Sequence, residues 1–214
     1  GGDVNIYAVG ADIRLLDNAI HVLSSGNVQL FATSPGHGIY DSDGGPAVAI
    51  TAPGMVQFFA DAALGTSVEP IRLAAAYLRT QTHNGSQFLH EADTIAFSSL
   101  DAGNAAIRLD AGTFVPLFGS HLIEDSTILH LNGATFSMGT ASETVGGLIL
   151  ESGGVTSTTG TLTSTSDFDL RSGVVSAILS GNVGLNKSTQ SVVTLSAANT
   201  YTGLTNIISG QLDD

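Results

Sequence analysis

Gly26-Asn27-Val28-Gln29-Leu30-Phe31-Ala32 returns 28 residues later as Gly54-Met55-Val56-Gln57-Phe58-Phe59-Ala60, with Leu30 matched by Phe58. At the same offset Ile20-His21-Val22 aligns with Val48-Ala49-Ile50. A looser copy follows in Ile107-Arg108-Leu109-Asp110-Ala111-Gly112, with Phe114, Leu117 and Phe118 behind it. Further on come Leu129-His130-Leu131-Asn132-Gly133, Leu148-Ile149-Leu150-Glu151-Ser152-Gly153, Phe168-Asp169-Leu170-Arg171-Ser172-Gly173 and Val193-Thr194-Leu195. The unit is an apolar residue, a spacer, a second apolar residue, a short gap and a glycine. Alternation of period two makes each unit a short strand with one face inward, and the glycine supplies a corner.

The later units recur at roughly 19 to 25 residues, an interval typical of solenoids. A five-residue strand that returns after so short an interval cannot pair with its own copy as a hairpin. Stacking the copies in parallel buries each one against the next. The reading is therefore all-β, a parallel β-helix (β-solenoid), right-handed as the resemblance described below implies. Coils of about 19–28 residues are expected. Residues 1–120 read as irregular coils with loops at Ser34–Gly38 and Asp41–Pro46, and residues 121–214 as more regular ones. Together they form one segment of a longer chain. Val68–Thr80 reads as strands broken at Ala74-Ala75, with a single helical turn as the alternative. An antiparallel sandwich is the rival fold, disfavoured because the copies are in phase.

Composition agrees. Hydrophobic residues make up 43% but aromatics only 6%, and there are 26 glycines. Such a chain must bury small branched residues in a thin, repetitive core. The net charge is −13, with Lys187 the single lysine beside five arginines. That balance argues against nucleic acid and anionic membranes, which require clustered Lys and Arg. There is no cysteine, hence no disulfide or thiolate metal site, and no apolar run long enough for a transmembrane segment.

The C-terminal third resembles a known family. Leu179-Ser180-Gly181-Asn182-Val183-Gly184-Leu185-Asn186-Lys187, then Val193-Thr194-Leu195-Ser196-Ala197-Ala198-Asn199-Thr200-Tyr201-Thr202-Gly203 and Ile208-Ser209-Gly210-Gln211-Leu212, is similar to the autotransporter-associated β-strand repeat. The Asn199-Thr200-Tyr201-Thr202-Gly203 run carries most of the likeness, over about residues 165–212. Ser188–Ser191 departs from it, where the family has a glycine-rich turn. Leu64–Arg72 more weakly resembles an element of filamentous-haemagglutinin-like proteins. The resemblance implies a parallel β-helix exported to the surface of a Gram-negative-type bacterium as an adhesin stalk or passenger. It implies structural roles for Asn199, Tyr201 and Gly203, and a corner or surface place for Lys187. It carries over no catalytic residue.

The residues themselves offer little chemistry. His21, His37, His83, His90, His121 and His130 show no zinc-site spacing. His21 and His130 occupy spacer positions and should face solvent. His83, His90 and Glu91 would meet only if adjacent coils brought them together. Asp41 and Asp43, Glu91 and Asp93, and Asp167 and Asp169 are each two apart, the spacing that a polysaccharide-processing β-helix would use for general acid/base work. Turn chemistry competes at Asp41-Ser42-Asp43-Gly44-Gly45, and an inward Phe168 explains the last pair.

No catalytic residue and no cofactor is therefore expected, apart from calcium held adventitiously at the acidic loop. Tyr40, Asp41 and Asp43 form the candidate surface-binding loop, and Phe31, Tyr40, Phe58 and Phe59 are the exposed aromatic candidates. The functional expectation is a non-catalytic stalk or filament segment of a secreted surface protein. Its partners would be neighbouring β-helical segments or copies of itself, stacked end to end or laterally. A loop-mediated adhesin for a surface or host ligand and a polysaccharide-processing β-helix remain as alternatives.

Overall fold

The computed structural model describes residues 2–214, which form strands and turns with no helix. Every strand pairing is parallel. The chain winds through about ten stacked coils, a β-solenoid. The opening repeat is in register: Val28 pairs with Val56, Leu30 with Phe58 and Ala32 with Ala60. Gln29 donates from Nε2 to Gln57 Oε1 at 2.6 Å, which gives that identity a physical reason.

Each coil has three faces. One face holds Val28–Ala32, residues 56–60 and residues 77–82, and ends in Val192–Leu195 and Gln211–Asp213. The second runs through Gln87–Glu91, Ala106–Asp110, residues 128–132 and 147–152, Phe168–Leu170, Leu185–Lys187 and Thr205–Ile207. The third is short, with Ile13–Leu15 on Ile39–Asp41 and, further on, Glu143–Val145, Thr161–Ser164 and Ile178–Ser180. Ile71–Thr82 turns the corner between the first two faces. Its buried positions are 71, 73 and 75, then 78, 80 and 82. The break expected at Ala74-Ala75 lies two residues later, where the parity changes at Ala76-Tyr77. The helical-turn alternative is overturned, because no residue of Val68–Thr80 is helical and Ile71–Thr82 is strand throughout.

The core is one cluster from Ile13 to Leu195. Leu129, Leu131, Leu148, Leu150 and Leu170 stack down the second face, and Phe114 and Phe136 down the first. Each buried side chain of this size contributes about 1.5–3 kcal/mol. Gly153 and Gly173 turn the corner between these faces with φ of 98° and 124°. A Cβ on Gly153 would strike the Ala134 carbonyl, and one on Gly173 the Gly153 carbonyl. The backbones approach so closely that no side chain fits.

Side chains also stitch coil to coil at the corners. Asp3 accepts from the backbone N–H of Asn27, Asn27 from Met55, Asn84 from Asn104, and Ser142 from Thr161, each across one coil. Asp61 and Asp167 do the same for Gly36 and Gly184. Part of the acidity thus satisfies backbone donors.

Several sequence expectations need correction. Ile20 pairs with Ile50, not Val48, because the upper coil has two more residues before Val28. Phe58 is fully buried, as its match to Leu30 requires. Phe118 is exposed and lies outside the unit. Val193-Thr194-Leu195 is not the copy beneath Phe168-Asp169-Leu170, since it pairs with Gly173–Val175 on another face. The true copy is Leu185-Asn186-Lys187, with Leu185 under Phe168.

Candidate functional site

Ile39–Asp41 pairs with Ile13–Leu15 on the short third face. Alternation there turns Ile39 and Asp41 inward and leaves Tyr40 half-buried on the outside. Tyr40 lies beneath the Arg14 guanidinium, 5.9 Å from ring centroid to Cζ. Burial, with Asp12 nearby, raises the Tyr40 phenol above its ordinary range. Asp12 fixes the rim, accepting from Gly38 N at 3.1 Å and lying 3.2 Å from His37 Nδ1. The resulting cleft of about 360 Å³ is lined by Asp12, Arg14, Tyr40, Asp41, Thr66 and Glu69.

Asp41 and Asp43 take different roles. Asp43 is an exposed turn residue that accepts the backbone N–H of Gly45 at 3.2 Å and that of Asp17 from the preceding coil. Its carboxyl stays below the usual range despite a desolvation penalty, because these N–H groups favour the anion. Asp43 is therefore the turn cap that its glycine-rich setting suggests.

Asp41 is 2% exposed, and neither of its carboxylate oxygens has a hydrogen-bond partner. Arg72 Nη1 is 3.6 Å away, too far to bond, and Nη1 and Ser42 Oγ are likewise unpartnered. Burial, and then the Asp43 charge, push the Asp41 carboxyl up, with Arg72 opposing. Such a pair is costly to keep in the dry state. It offers a charge-compensated acceptor, not two free carboxylates on one open face.

The other acid pairs also separate. Glu91 is fully buried in the core, whereas Asp93 is exposed. Burial pushes Glu91 up to about 7. The nearby Asp93 charge also raises it, while the Ala92 N–H it accepts opposes the rise. Asp169 reaches outward to Arg171 at 2.8 Å, and Asp167 caps Gly184 at 2.7 Å, on either side of the buried Phe168.

The histidines do not converge. His83 lies 3.3 Å from Asp61, and His90 pairs in register with Asp110 on the outer face. His21 is exposed as expected. His130 is only partly so: its Nε2 is buried 3.4 Å from Glu151, poorly aligned to bond it, and burial lowers its pKa. Among the described residues no three His, Cys, Asp or Glu side chains form a group able to hold a metal ion. No helix there is long and apolar enough to cross a membrane.

At the other end, Asn199 Oδ1 accepts from Leu179 N at 2.9 Å, and Gly203 N donates to Val183 O at 2.9 Å. The Tyr201 hydroxyl is 2.8 Å from Thr205 Oγ1, and its ring packs 6.1 Å from Phe168. These three residues tie one coil to the one before it.

Lys187 departs from expectation. It is fully buried, not at the surface, because alternation from Leu185 turns it inward. Its Nζ donates to the carbonyls of Thr189 and Ser209 and to Thr189 Oγ1. Two other buried acids were not legible as core groups: Glu91, and Glu143, whose carboxylate accepts from Leu122 and Ile123 N–H on the coil before it. The apolar partners above Glu91 carry the only signal, since it ends the alternating run Gln87–Glu91.

Compared with family models, curated proteins and solved structures, the chain matches none.

Proposed function

We propose that this chain is a non-catalytic structural segment of a large secreted bacterial surface protein, a stalk or filament element whose product is length and stiffness. The observation that carries the reading is the uninterrupted parallel ladder. From Val4–Tyr7 to Gln211–Asp213 every coil hydrogen-bonds its neighbours around one continuous core. The Asn199–Gly203 corner supports placing it with autotransporter-type and filamentous-haemagglutinin-like proteins, and so outside a Gram-negative-type cell.

The test is replacement. In the parent protein, an unrelated β-solenoid with the same number of coils is exchanged for this segment. Surface display and reach should be retained. Loss of attachment with display intact would instead favour an adhesin.

A further inference from the structure

Along one corner of the solenoid a groove of about 420 Å³ crosses four successive coils. Thr33 lines it from the first, Phe59 and Asp61 from the second, Gln81 and His83 from the third, and Asp101 from the fourth. With coils about 4.8 Å apart, polar side chains recur along it over about 14 Å. The geometry points to a binding site for a linear, hydroxyl-rich glycan lying along the solenoid axis.

The polar groups are held before any ligand arrives. Asp61 Oδ2 accepts from Gly36 N at 2.6 Å, and Oδ1 is 3.3 Å from His83 Nδ1. Asp101 Oδ1 accepts from Gly103 N at 2.9 Å, and Oδ2 from Gln81 Nε2 at 3.4 Å. A carboxylate oxygen accepts more than one hydrogen bond, so both acids keep capacity for hydroxyl donors. The Gln81 amide and the Thr33 hydroxyl add donors and acceptors. Such fixed groups lose little entropy on binding.

Other polymers fit less well. An extended peptide would need a free sheet edge, but strands flanking the groove are paired on both sides. A polyanion would meet the carboxylates of Asp61 and Asp101. Phe59 has one face stacked on Phe31 at 5.0 Å and the other under Arg79 at 5.4 Å, so it offers an apolar edge for sugar C–H groups. This side-on activity is additional to the spacer role and independent of it.

Titration calorimetry of the full chain with cellohexaose, chitohexaose, mannohexaose and hexagalacturonate tests it. At least one neutral hexasaccharide should bind, and its trisaccharide should bind about tenfold more weakly. Gln81→Ala and His83→Ala, both at exposed positions, should each weaken it about fivefold, with unchanged melting curves. Binding by no neutral hexasaccharide, binding indifferent to both variants, or preference for hexagalacturonate would overturn the proposal.

Discussion

The ammonium of Lys187 lies inside the solenoid, 3.3 Å from the backbone carbonyl of Ser209 on the next coil. Among the described residues no carboxylate pairs with it, and carbonyl and hydroxyl oxygens accept its hydrogen bonds. Thr189 Oγ1 in turn donates to Arg171 O, so the contacts link three successive coils. Removing the amine would leave those carbonyls without a donor, at about 1–3 kcal/mol. Lys187→Ala adds a cavity and should cost about 3–5 kcal/mol, whereas Lys187→Met should cost less than half as much. Urea unfolding gives the totals, and hydrogen exchange at residues 205–213 shows whether the last coils open first. A neutral Lys187→Ala would remove the role given to the ammonium.

Glu91 governs a decline on the acid side of neutrality. Its folded pKa of about 7 stands above the ordinary 4.5, so the folded state holds its proton more tightly than the unfolded chain does. Stability is therefore greatest below 4.5 and declines as pH rises towards about 7, by at most about 3 kcal/mol. Glu91→Gln should flatten that decline, measured as melting temperature between pH 4 and 8. An identical slope in the variant would show that another group governs it.

The acid limb has the opposite sign. The N–H groups of Gly38 and Gly36 hold Asp12 and Asp61 below their ordinary 3.8, and that of Asp17 does so for Asp43. Their contribution is present above 3.8 and is lost as pH falls through the depressed folded values. Asp12→Asn and Asp61→Asn should make acid unfolding less steep. Glu91 acts the other way, its contribution being full below its ordinary 4.5.

Corner glycines differ in why they are needed. Gly139 has φ of 58° with nothing near the place a Cβ would take, so Gly139→Ala should cost about 1–2 kcal/mol from backbone strain alone. Gly153 has φ of 98° and the Ala134 carbonyl where a Cβ would go. Gly153→Ala should cost at least twice as much or prevent folding. Equal melting temperatures for the two variants would refute the distinction.

Phe58 and Phe31 divide inward from outward. Phe58 is fully buried, and Phe58→Ala should cost about 3–5 kcal/mol. Phe31 stacks between Tyr7 and Phe59 on the outer surface, and Phe31→Ala should cost about 0.5–1.5 kcal/mol beyond its buried area. Chemical denaturation ranks them, and the reverse order would contradict the register.

The repeat at Gly26 and Gly54 displayed the fold because both copies keep the same inward and outward residues. Where one inward position became polar, the pattern broke. Lys187 hid the copy beneath Phe168-Asp169-Leu170, and Val193-Thr194-Leu195, equally apolar but on another face, stood in for it. Face membership is invisible to a period-two pattern, since all three faces alternate alike. The candidate site was legible as a loop but not as an arrangement. Asp41 and Asp43 share a spacing, yet the strand ends between them, so one enters the core and the other caps a turn. The axial groove is built from residues about one coil apart, none of which forms a local motif.

Every coil hydrogen-bonds to neighbours a short distance along the chain, from 17 residues between Phe168 and Leu185 to 30 between Ile20 and Ile50. No contact waits for a distant part of the polypeptide. Folding can therefore advance as templated growth, each finished rung presenting the edge on which the next one forms. A chain that emerged gradually through a narrow opening could fold at the rate it appeared, and the energy released rung by rung would oppose its sliding back.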